Sequence, residues 1–363
     1  PHTRILTWRQ MDNAVTSAPY ADFIATLDTV QSQPLWDRYH RITTRHPQTR
    51  TAAHLWPWKT MEPLVQRAVD EVAMADAERR VLLFTHPEAT ESVDTMRNIS
   101  GGLQTLLPGE VAHAHRHTLA ALRFVMQGHG AVTTVNAEQC AMNEGDLVLT
   151  PSWTWHEHIH PGEGRMVWFD GLDLPLSHHL DTMFFEMNAP GLVTYTPPAT
   201  RPPAVPNDGA TLRPDSCDAV IPQSGQFKPS RFRYSAERAA AALTASAPRA
   251  DGSRMLRYID ASSGGPVLPT LDCYLMGLEN GKTTQKSRST ASAICVVAEG
   301  EGASTIGDRT VVWRRNDVFT VPLWQWVEHT AISDNAKLFF MSDRELVASM
   351  GYLREESDTG TQK

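Results

Sequence analysis

Hydrophobic positions follow two different periods along the chain. Between residues 60 and 72, apolar side chains recur every three or four residues, the spacing of a helix with one buried face. Thr60 and Pro63 are typical of a helix start, because a hydroxyl can cap free N–H groups and proline is tolerated in the first turn. From about residue 79, short runs of Val, Ile, Leu, Phe and Thr alternate with turn residues, which predicts strands. We therefore expect a helical N-terminal segment followed by a mainly β protein.

Proline content divides the β-rich sequence in two. Residues 196–230 carry eight prolines, so we expect an irregular connection there. Ser235 is a suitable N-cap for a short alanine-rich helix ending near Ala245, after which the strand pattern returns. The predicted organisation is a helical segment (1–78), a first β domain (79–195), a proline-rich connection (196–234), a second β domain (235–345) and a polar tail (346–363).

The two β domains are related by an internal repeat. Gly128 follows Gly109 by 19 residues, and Gly300 follows Gly281 by the same interval. Each half then has a matching segment, PSWTWHEH at 151–158 and PLWQWVEH at 322–329, identical at five of eight positions. A duplicated β unit of this size closes most simply as a jelly-roll barrel, so we expect two such barrels.

Histidines are concentrated in the first repeat. His113, His115 and His117 alternate with other residues, and on a regular strand all three imidazoles would point to one face. His156 and His158 share a face of a later strand in the same way. Two imidazoles from one strand and a third from another can bind a metal inside a barrel, whereas the alternative is a set of structural histidines.

The second repeat distinguishes these alternatives. When the two halves are aligned on their leading glycines, the positions of His115 and His117 are Ser287 and Ser289. When the segments 151–158 and 322–329 are aligned, the position of His156 is Val327. Because the second half keeps its glycines, prolines and tryptophans without these histidines, folding alone does not require them. The sequence therefore predicts that His115, His117 and His156 bind one metal ion per chain, in the first barrel only. His113, whose counterpart is Gln285, is either an alternative ligand or a rim residue.

Composition excludes several classes of function. The chain has 363 residues, 33 Lys and Arg against 41 Asp and Glu, and a formal net charge of −8, which disfavours nucleic-acid binding. No apolar run is long enough to span a membrane, and residues 1–4 lead into polar sequence unlike a signal peptide. Four widely separated cysteines are typical of free thiols, so we expect a cytoplasmic protein. The four are Cys140, Cys217, Cys273 and Cys295.

The glycine, histidine and proline spacing resembles the paired motifs of the cupin superfamily. The usual first motif has a glutamate four or five residues after its second histidine, whereas here Ala121 and Leu122 stand there and Arg123 follows. This departure from the usual motif, together with six longer segments, resembles the gentisate and salicylate 1,2-dioxygenases over roughly residues 34–345. The segments that carry the resemblance are ERRVL (78–82), GGLQTLLPGEVAHAHRH (101–117), LRFVMQGHG (122–130), TPSWTWHEH (150–158), WFDGLDLPL (168–176) and SSGGPVLPTLDC (262–273).

The resemblance implies a bicupin, Fe(II)-dependent homotetramer. Its members insert both atoms of O2 into a 2-hydroxybenzoate and cleave the ring between the carboxyl- and hydroxyl-bearing carbons. The predicted ligand set is compatible with this reaction. Three neutral imidazoles leave three of the six octahedral positions of a metal ion open, and they do not compensate its positive charge. Gentisate, salicylate, a 5-substituted salicylate and 1-hydroxy-2-naphthoate all remain candidate substrates.

Further site residues come from strand alternation and from the resemblance. Arg123 lies six residues after His117, so an uninterrupted strand would place its guanidinium on the inward face, where it can hold a carboxylate. Gln104 and Arg79 match family positions that contact substrate. His158 is expected to hold the phenolate or move a proton, and Asp170 to bind a ring substituent or a ligating histidine, or to cap a loop.

Two other functions are compatible with a duplicated barrel. A two-metal bicupin such as an oxalate decarboxylase would need ligands in the second half, where Ser287, Ser289 and Val327 argue against it. A non-catalytic storage or small-molecule-binding bicupin would lack an ordered metal triad. A sensor would also carry a basic DNA-binding helix, which the sequence does not show.

Overall fold

The computed structural model describes residues 18–89, 93–187, 212–213, 229 and 231–358. Residues 18–48 belong to one compact unit with two helices, α1 (Ala18–Thr29) and α2 (Tyr39–Ile42), and the chain from Thr49 onward forms a second compact unit. Across these described ranges, no helix is long and apolar enough to cross a membrane.

The second unit opens with β1 (Leu55–Trp56), α3 (Trp58–Glu71), α4 (Met74–Ala77) and β2 (Val81–Leu83). Helix α3 confirms the helix predicted from the apolar spacing, but the predicted cap is wrong. The helix begins at Trp58, before Thr60, and its cap position is Pro57, which makes no side-chain hydrogen bond. Instead the Trp58 N–H donates to Asp317 Oδ1 at 2.7 Å, so a residue distant in sequence supplies the cap.

The first barrel consists of two antiparallel sheets. One has the strand order β13-β8-β5-β10-β3-β2 and the other β11-β4-β9-β6-β7. The strands are β3 (Ser100–Leu106), β4 (Val111–His117), β5 (Ala121–Gln127), β6 (His129–Val135), β7 (Glu138–Asn143), β8 (Leu147–Thr150), β9 (His156–Ile159), β10 (Met166–Leu172), β11 (Phe185–Met187) and, later in the chain, β13 (Arg233–Tyr234); helix α5 (Leu174–His179) follows β10.

The second barrel repeats this arrangement. Its sheets have the orders β1-β20-β17-β22-β15-β14-β12 and β19-β18-β21-β16-β23. The elements are β12 (Leu212–Arg213), α6 (Ala236–Ala245), β14 (Arg254–Tyr258), β15 (Asp272–Leu278), β16 (Ser287–Ser289), β17 (Ala293–Glu299), β18 (Glu301–Ile306), β19 (Arg309–Arg314), β20 (Val318–Val321), β21 (Val327–Ala331), β22 (Ala336–Ser342), α7 (Arg344–Ser349) and β23 (Glu355–Ser357).

The duplication is visible in backbone conformation as well as in sequence. The first tryptophan of each WxW segment has a positive φ, +59° at Trp153 and +57° at Trp324. A tryptophan rarely adopts this conformation, so its recurrence at equivalent positions identifies the two turns as copies. In each copy the arginine between the two metal-ligand positions lies over these tryptophans: Arg116 Cζ is 4.4 Å from the Trp153 ring and Arg288 Cζ is 4.3 Å from the Trp324 ring.

Each barrel takes an edge strand from the segment that precedes the other barrel. Strand β1 pairs with β20 of the second barrel, and β13 pairs with β8 of the first. The helix after each of these strands is capped in the same way, because Asp317 Oδ1 accepts from Trp58 N and Asp146 Oδ1 accepts from Ala236 N at 2.9 Å. The Ser235 side chain accepts from Arg238 N, as the sequence analysis predicts.

A shared apolar core joins the two barrels. Phe124 of β5 stacks on Phe339 of β22, with ring centroids 4.1 Å apart and planes 9° apart. Gly171 of β10 lies so close to β22 that a Cβ atom there would be 2.2 Å from Met341 Sδ. The second barrel is therefore part of the hydrophobic support of the first.

Two peripheral expectations can be compared with the structure. The segment after residue 345, expected to be a polar tail, includes the end of α7 and strand β23, which pairs with β16. Cys140, Cys273 and Cys295 are buried free thiols. Cys217 and most of the proline-rich connection lie outside the described residues.

Candidate metal centre and active site

Three histidines from two neighbouring strands converge inside the first barrel. Strand β4 carries His115 and His117, β9 carries His156, and His115 is directly paired with His156 in the β4–β9 register. Their ligand nitrogens lie within 4.8 Å of one another, and the Nε2 atoms of His115 and His156 are 2.9 Å apart. In the part of the chain that the structure describes, this is the one group of three or more potential ligands.

Hydrogen bonds orient two of these rings for metal binding. His117 Nδ1 is 2.8 Å from the Leu119 carbonyl, and His156 Nδ1 is 2.9 Å from the Thr154 carbonyl. A carbonyl only accepts, so both Nδ1 atoms carry the proton and both Nε2 atoms keep a lone pair. The Nδ1–H to carbonyl bond is the usual support of a metal-binding imidazole.

The protein environment keeps the three rings neutral. Burial, together with the charges of Arg123 and Arg79, lowers the pKa of His117 to about 4, although the hydrogen bond to the Leu119 carbonyl raises it. Burial and neighbouring charges also hold the pKa values of His115 and His156 well below the usual value. Three neutral, convergent imidazoles are a donor set that fits a divalent transition metal such as Fe(II).

His113 does not join this group, and the prediction that it shares a face with His115 is wrong. The β4–β9 register shifts between Ala112 and His115, so strand alternation is interrupted at His113. The His113 side chain is exposed, whereas those of His115 and His117 are buried. Its backbone carbonyl instead accepts a 2.7 Å hydrogen bond from Arg79 Nη2.

Arg123 and Asp170 form a buried ion pair in the adjoining sheet. They face each other in the β5–β10 register, and Arg123 Nε lies 3.3 Å from Asp170 Oδ1. Arg123 also donates to the Thr150 hydroxyl, and Trp168 Nε1 donates to Asp170 Oδ1 at 3.0 Å. Burial raises the pKa of Asp170, an effect that the Arg123 charge opposes. Asp170 therefore positions Arg123 rather than a ligating histidine.

Gln104 and His158 present polar atoms with nothing to bind. The register places Gly102 opposite Asp170, and Gln104, two residues along β3, points to the same face. Among the residues that the structure describes, neither atom of its buried side-chain amide has a hydrogen-bond partner, and nor does His158 Nε2. An unsatisfied buried polar group is costly, so these atoms indicate a polar ligand.

The proton on His158 can be placed from its neighbours. Its Nδ1 is 2.8 Å from Thr133 Oγ1, and the Thr133 hydroxyl donates to Met142 Sδ at 3.0 Å. His158 Nδ1–H therefore donates to Thr133 Oγ1, which leaves a lone pair on Nε2.

Arg79 lies beside the site, and two of its nitrogens are engaged. Nη1 donates to Glu78 Oε1 at 2.8 Å and Nη2 to the His113 carbonyl, while Nε has no partner in the described part of the chain. Burial lowers the pKa of Arg79 to about 10.

The sequence analysis missed two residues that touch the triad. Glu78, at a positive φ of 56°, places Oε1 3.6 Å from His115 Nδ1. Phe185 of β11 packs against His115, with ring centroids 4.8 Å apart. Glu78 lies in the ERRVL segment that carries the resemblance, but neither its role nor that of Phe185 follows from residue spacing, because the fold brings both to the triad.

Comparisons with known proteins agree with this geometry. The chain matches the Cupin domain family over residues 102–172. It is 35% identical to gentisate 1,2 dioxygenase 1 of Aquipseudomonas alcaligenes over 92% of this chain and 95% of that protein. It is 30% identical to the 1-hydroxy-2-naphthoate 1,2-dioxygenase of Nocardioides sp. (strain KP7) over 96% of this chain and 92% of that protein.

A solved structure extends the likeness to three dimensions. Salicylate 1,2-dioxygenase of Pseudoaminobacter salicylatoxidans, determined as an adduct with gentisate, superposes with a TM-score of 0.81 at 26% identity and covers 98% of this chain and 97% of its own. Extended similarity at these identities, together with the duplicated barrels and the three-histidine group, confirms the resemblance drawn from the sequence. The chain belongs to the family of bicupin gentisate and salicylate 1,2-dioxygenases.

Proposed function

We propose that the protein is an Fe(II)-dependent dioxygenase that opens the ring of a 2-hydroxybenzoate between its carboxyl- and hydroxyl-bearing carbons. The observation that carries the proposal is the buried group of His115, His117 and His156, whose neutral imidazoles face one point. We assign one Fe(II) per chain to these three residues. A bound Fe(II) would bring O2 and the substrate together and let electrons pass from the closed-shell aromatic ring to ground-state O2, so that the ring is oxidised and the iron is Fe(II) again at the end.

Charge balance supports a chelating dianion as substrate. Arg79 pairs with Glu78, and Arg123 with Asp170, so the charged side chains around the triad cancel in pairs. The charge of a divalent ion then stays uncompensated in a buried site, where isolated charge is costly. A carboxylate with a neighbouring phenolate carries the two negative charges that offset it.

The surrounding side chains have separate tasks in binding and orientation. We assign the substrate carboxylate to Arg123, whose planar guanidinium is held in place by Asp170 and Thr150. The unpartnered amide of Gln104 binds a substrate oxygen, and Arg79 Nε is available at the same site. Fixing the ring in one orientation lowers the entropic barrier of the reaction.

His158 acts on the proton of the substrate hydroxyl. Among the described residues its Nε2 has no hydrogen-bond partner, its ring centroid lies 6.0 Å from that of His156, and burial keeps the ring neutral because the pKa of His158 lies well below the usual value. A neutral imidazole in this state accepts a hydrogen bond from the substrate hydroxyl and orients its proton, because a ring with so low a pKa does not keep a second proton itself. Phe185, packed over His115, excludes water from one side of the triad.

Oxygen uptake tests the proposal and ranks the substrates. Purified protein loaded with ferrous iron is mixed in turn with gentisate, salicylate, a 5-substituted salicylate and 1-hydroxy-2-naphthoate, and O2 consumption and loss of ring absorbance are followed together. We expect one O2 consumed per ring opened, with no turnover after chelation of the iron or in His156→Ala. Binding of these acids without O2 consumption would instead favour a non-catalytic bicupin.

We also propose a homotetramer, on the basis of the family resemblance. Sedimentation velocity should give a species of four chains that is independent of added substrate. A monomer at micromolar concentration would refute this part of the proposal.

A further inference from the structure

The second barrel contains a cavity at the position of the metal centre in the first. Ser287 and Val327 are paired in the β16–β21 register as His115 and His156 are in the β4–β9 register. Together with Ser289 they line a cavity of about 380 Å³. Replacing three imidazoles by two hydroxymethyl groups and an isopropyl group has left space where the metal centre would be. This volume lies within the usual range of small-molecule pockets, which starts at roughly 300 Å³.

The charged groups of the first site have apolar counterparts here. Asp170 pairs with Arg123 and Gly102, and Phe340 pairs in the same way with Cys295 and Tyr274. Phe340 thus replaces Asp170, Cys295 replaces Arg123, and Met276, two residues after Tyr274, replaces Gln104. Phe340 and Met276 line the cavity, so its inner wall has lost the groups assigned to carboxylate binding.

Charges at the cavity rim are paired. Arg344 donates to both oxygens of Glu355, from Nε at 2.9 Å and from Nη2 at 2.8 Å. Arg288 Nε donates to Glu356 Oε2 at 2.7 Å. Arg249 and Asp251, which also line the cavity, carry opposite charges. These arginines already have carboxylate partners, and the described residues of this barrel form no metal-ligand group whose ion would offset an anion, as the triad does in the first barrel. The cavity therefore does not favour an acid.

His329 gives the cavity one directed hydrogen-bond donor. It is the counterpart of His158, and its Nδ1 lies 2.7 Å from Ser304 Oγ. Ser304 Oγ accepts from Trp313 Nε1 at 2.8 Å, and its own proton has His329 Nδ1 as partner. The Nε2 atom therefore carries the hydrogen, the opposite of His158, and among the described residues it has no hydrogen-bond partner. Burial lowers the pKa of His329 to about 4, so the ring is a neutral donor at pH 7.

We propose that the second barrel is a binding site for an uncharged small molecule of aromatic-ring size that presents a hydrogen-bond acceptor to His329. The apolar wall of Met276, Phe340 and Val327 packs against the ring, and Ser287 and Ser289 bind further polar atoms at its edge. On this proposal, the first barrel binds an aromatic acid with the help of a metal ion, and the second barrel binds a neutral molecule without a metal ion.

Fluorine NMR tests this site with two matched probes on the full chain. 4′-Fluoroacetophenone is neutral and offers a ketone acceptor, whereas 4-fluorobenzoate has the same ring and fluorine with a negative charge. We expect the ketone to bind at millimolar or lower concentration and the benzoate at least about tenfold more weakly in the second barrel, because a buried carboxylate there has no free partner. His329→Leu should weaken ketone binding about fivefold through loss of one hydrogen bond.

Equivalent substitutions in the two barrels locate the probe. Val327→Phe fills the second cavity and should abolish ketone binding, whereas His156→Phe, at the matching position of the first barrel, should leave it intact. Ser289→Leu is a second blocking variant if the first does not fold, and thermal melting checks each protein. The proposal is refuted if the ketone does not bind, or if the benzoate binds the second barrel as tightly as the ketone does. It is also refuted if ketone binding persists in both blocking variants, or if only His156→Phe abolishes ketone binding.

Discussion

At the scale of single residues, unsatisfied buried atoms lie in the pocket where we propose that the substrate binds. Gln104 is fully buried, yet no described residue bonds to either end of its amide, and the same holds for His158 Nε2. The sequence placed Gln104 in the site by resemblance and His158 by its alternation with His156 on one strand. It gave no reason for an unpaired state, because that depends on what every neighbouring strand provides.

The geometry of Arg123 predicts that its shape matters as well as its charge. Arg123→Lys keeps a cation beside Asp170 but loses the planar fork, so we expect retained iron and a KM for the aromatic acid raised about tenfold or more. Iron content and O2 uptake measure the two effects separately. Arg67→Lys, which alters an exposed arginine paired with Glu71, is the matched control and should change neither. An unchanged KM in Arg123→Lys would show that Arg123 does not hold the carboxylate.

His113 and His117 offer a direct comparison on one strand. His117→Ala removes a buried imidazole aimed at the metal site, so we expect loss of bound iron and of activity. His113→Ala removes an exposed imidazole that the register shift turns outward, and we expect iron content and turnover close to those of the unmodified protein. Loss of iron in His113→Ala would contradict the observed register.

At the scale of elements, the sequence predicted the two repeated barrels but not the edge strand that each barrel receives from the segment before the other. The glycine intervals and the WxW segments predicted two barrels, and the equivalent positive φ values of Trp153 and Trp324 agree. The exchanged edge strands β1 and β13 carry no signal, because each is only two residues long and pairs with a strand distant in sequence. Likewise His113 was misplaced because a strand pattern cannot reveal a local register shift.

An aspartate of each barrel caps the helix that precedes the other barrel, so each barrel is expected to stabilise that helix. Asp317→Ala removes the acceptor for the Trp58 N–H, and Asp146→Ala removes the acceptor for the Ala236 N–H. Loss of a helix cap costs about 1 kcal/mol, and each aspartate also accepts a hydrogen bond from its own turn, so we expect at least about 1–2 kcal/mol of destabilisation in each variant. Urea unfolding measures it, with exposed Asp70→Ala as the control. Equal stability of all three would refute the capping role.

At the scale of the whole molecule, the two barrels share a core but differ in chemistry. The stacked rings of Phe124 and Phe339 and the close contact of Gly171 with Met341 bind them together. The first has three imidazoles, an ion pair and a polar pocket, whereas the second has other residues at all of these positions except that of His158, where it has His329. Duplication thus provided one barrel for redox chemistry and one for support and, as we infer, for binding a neutral ligand.

Iron stoichiometry tests the central claim, that the three-histidine group of the first barrel is the single metal centre. Protein reconstituted with excess ferrous iron and then desalted is analysed for iron per chain, alongside His156→Ala and His329→Ala. We predict one iron in the unmodified protein, one in His329→Ala and none in His156→Ala, because Ser287, Ser289 and Val327 leave His329 without companion ligands. Two irons per chain, or iron that is lost with His329 and kept without His156, would contradict the account.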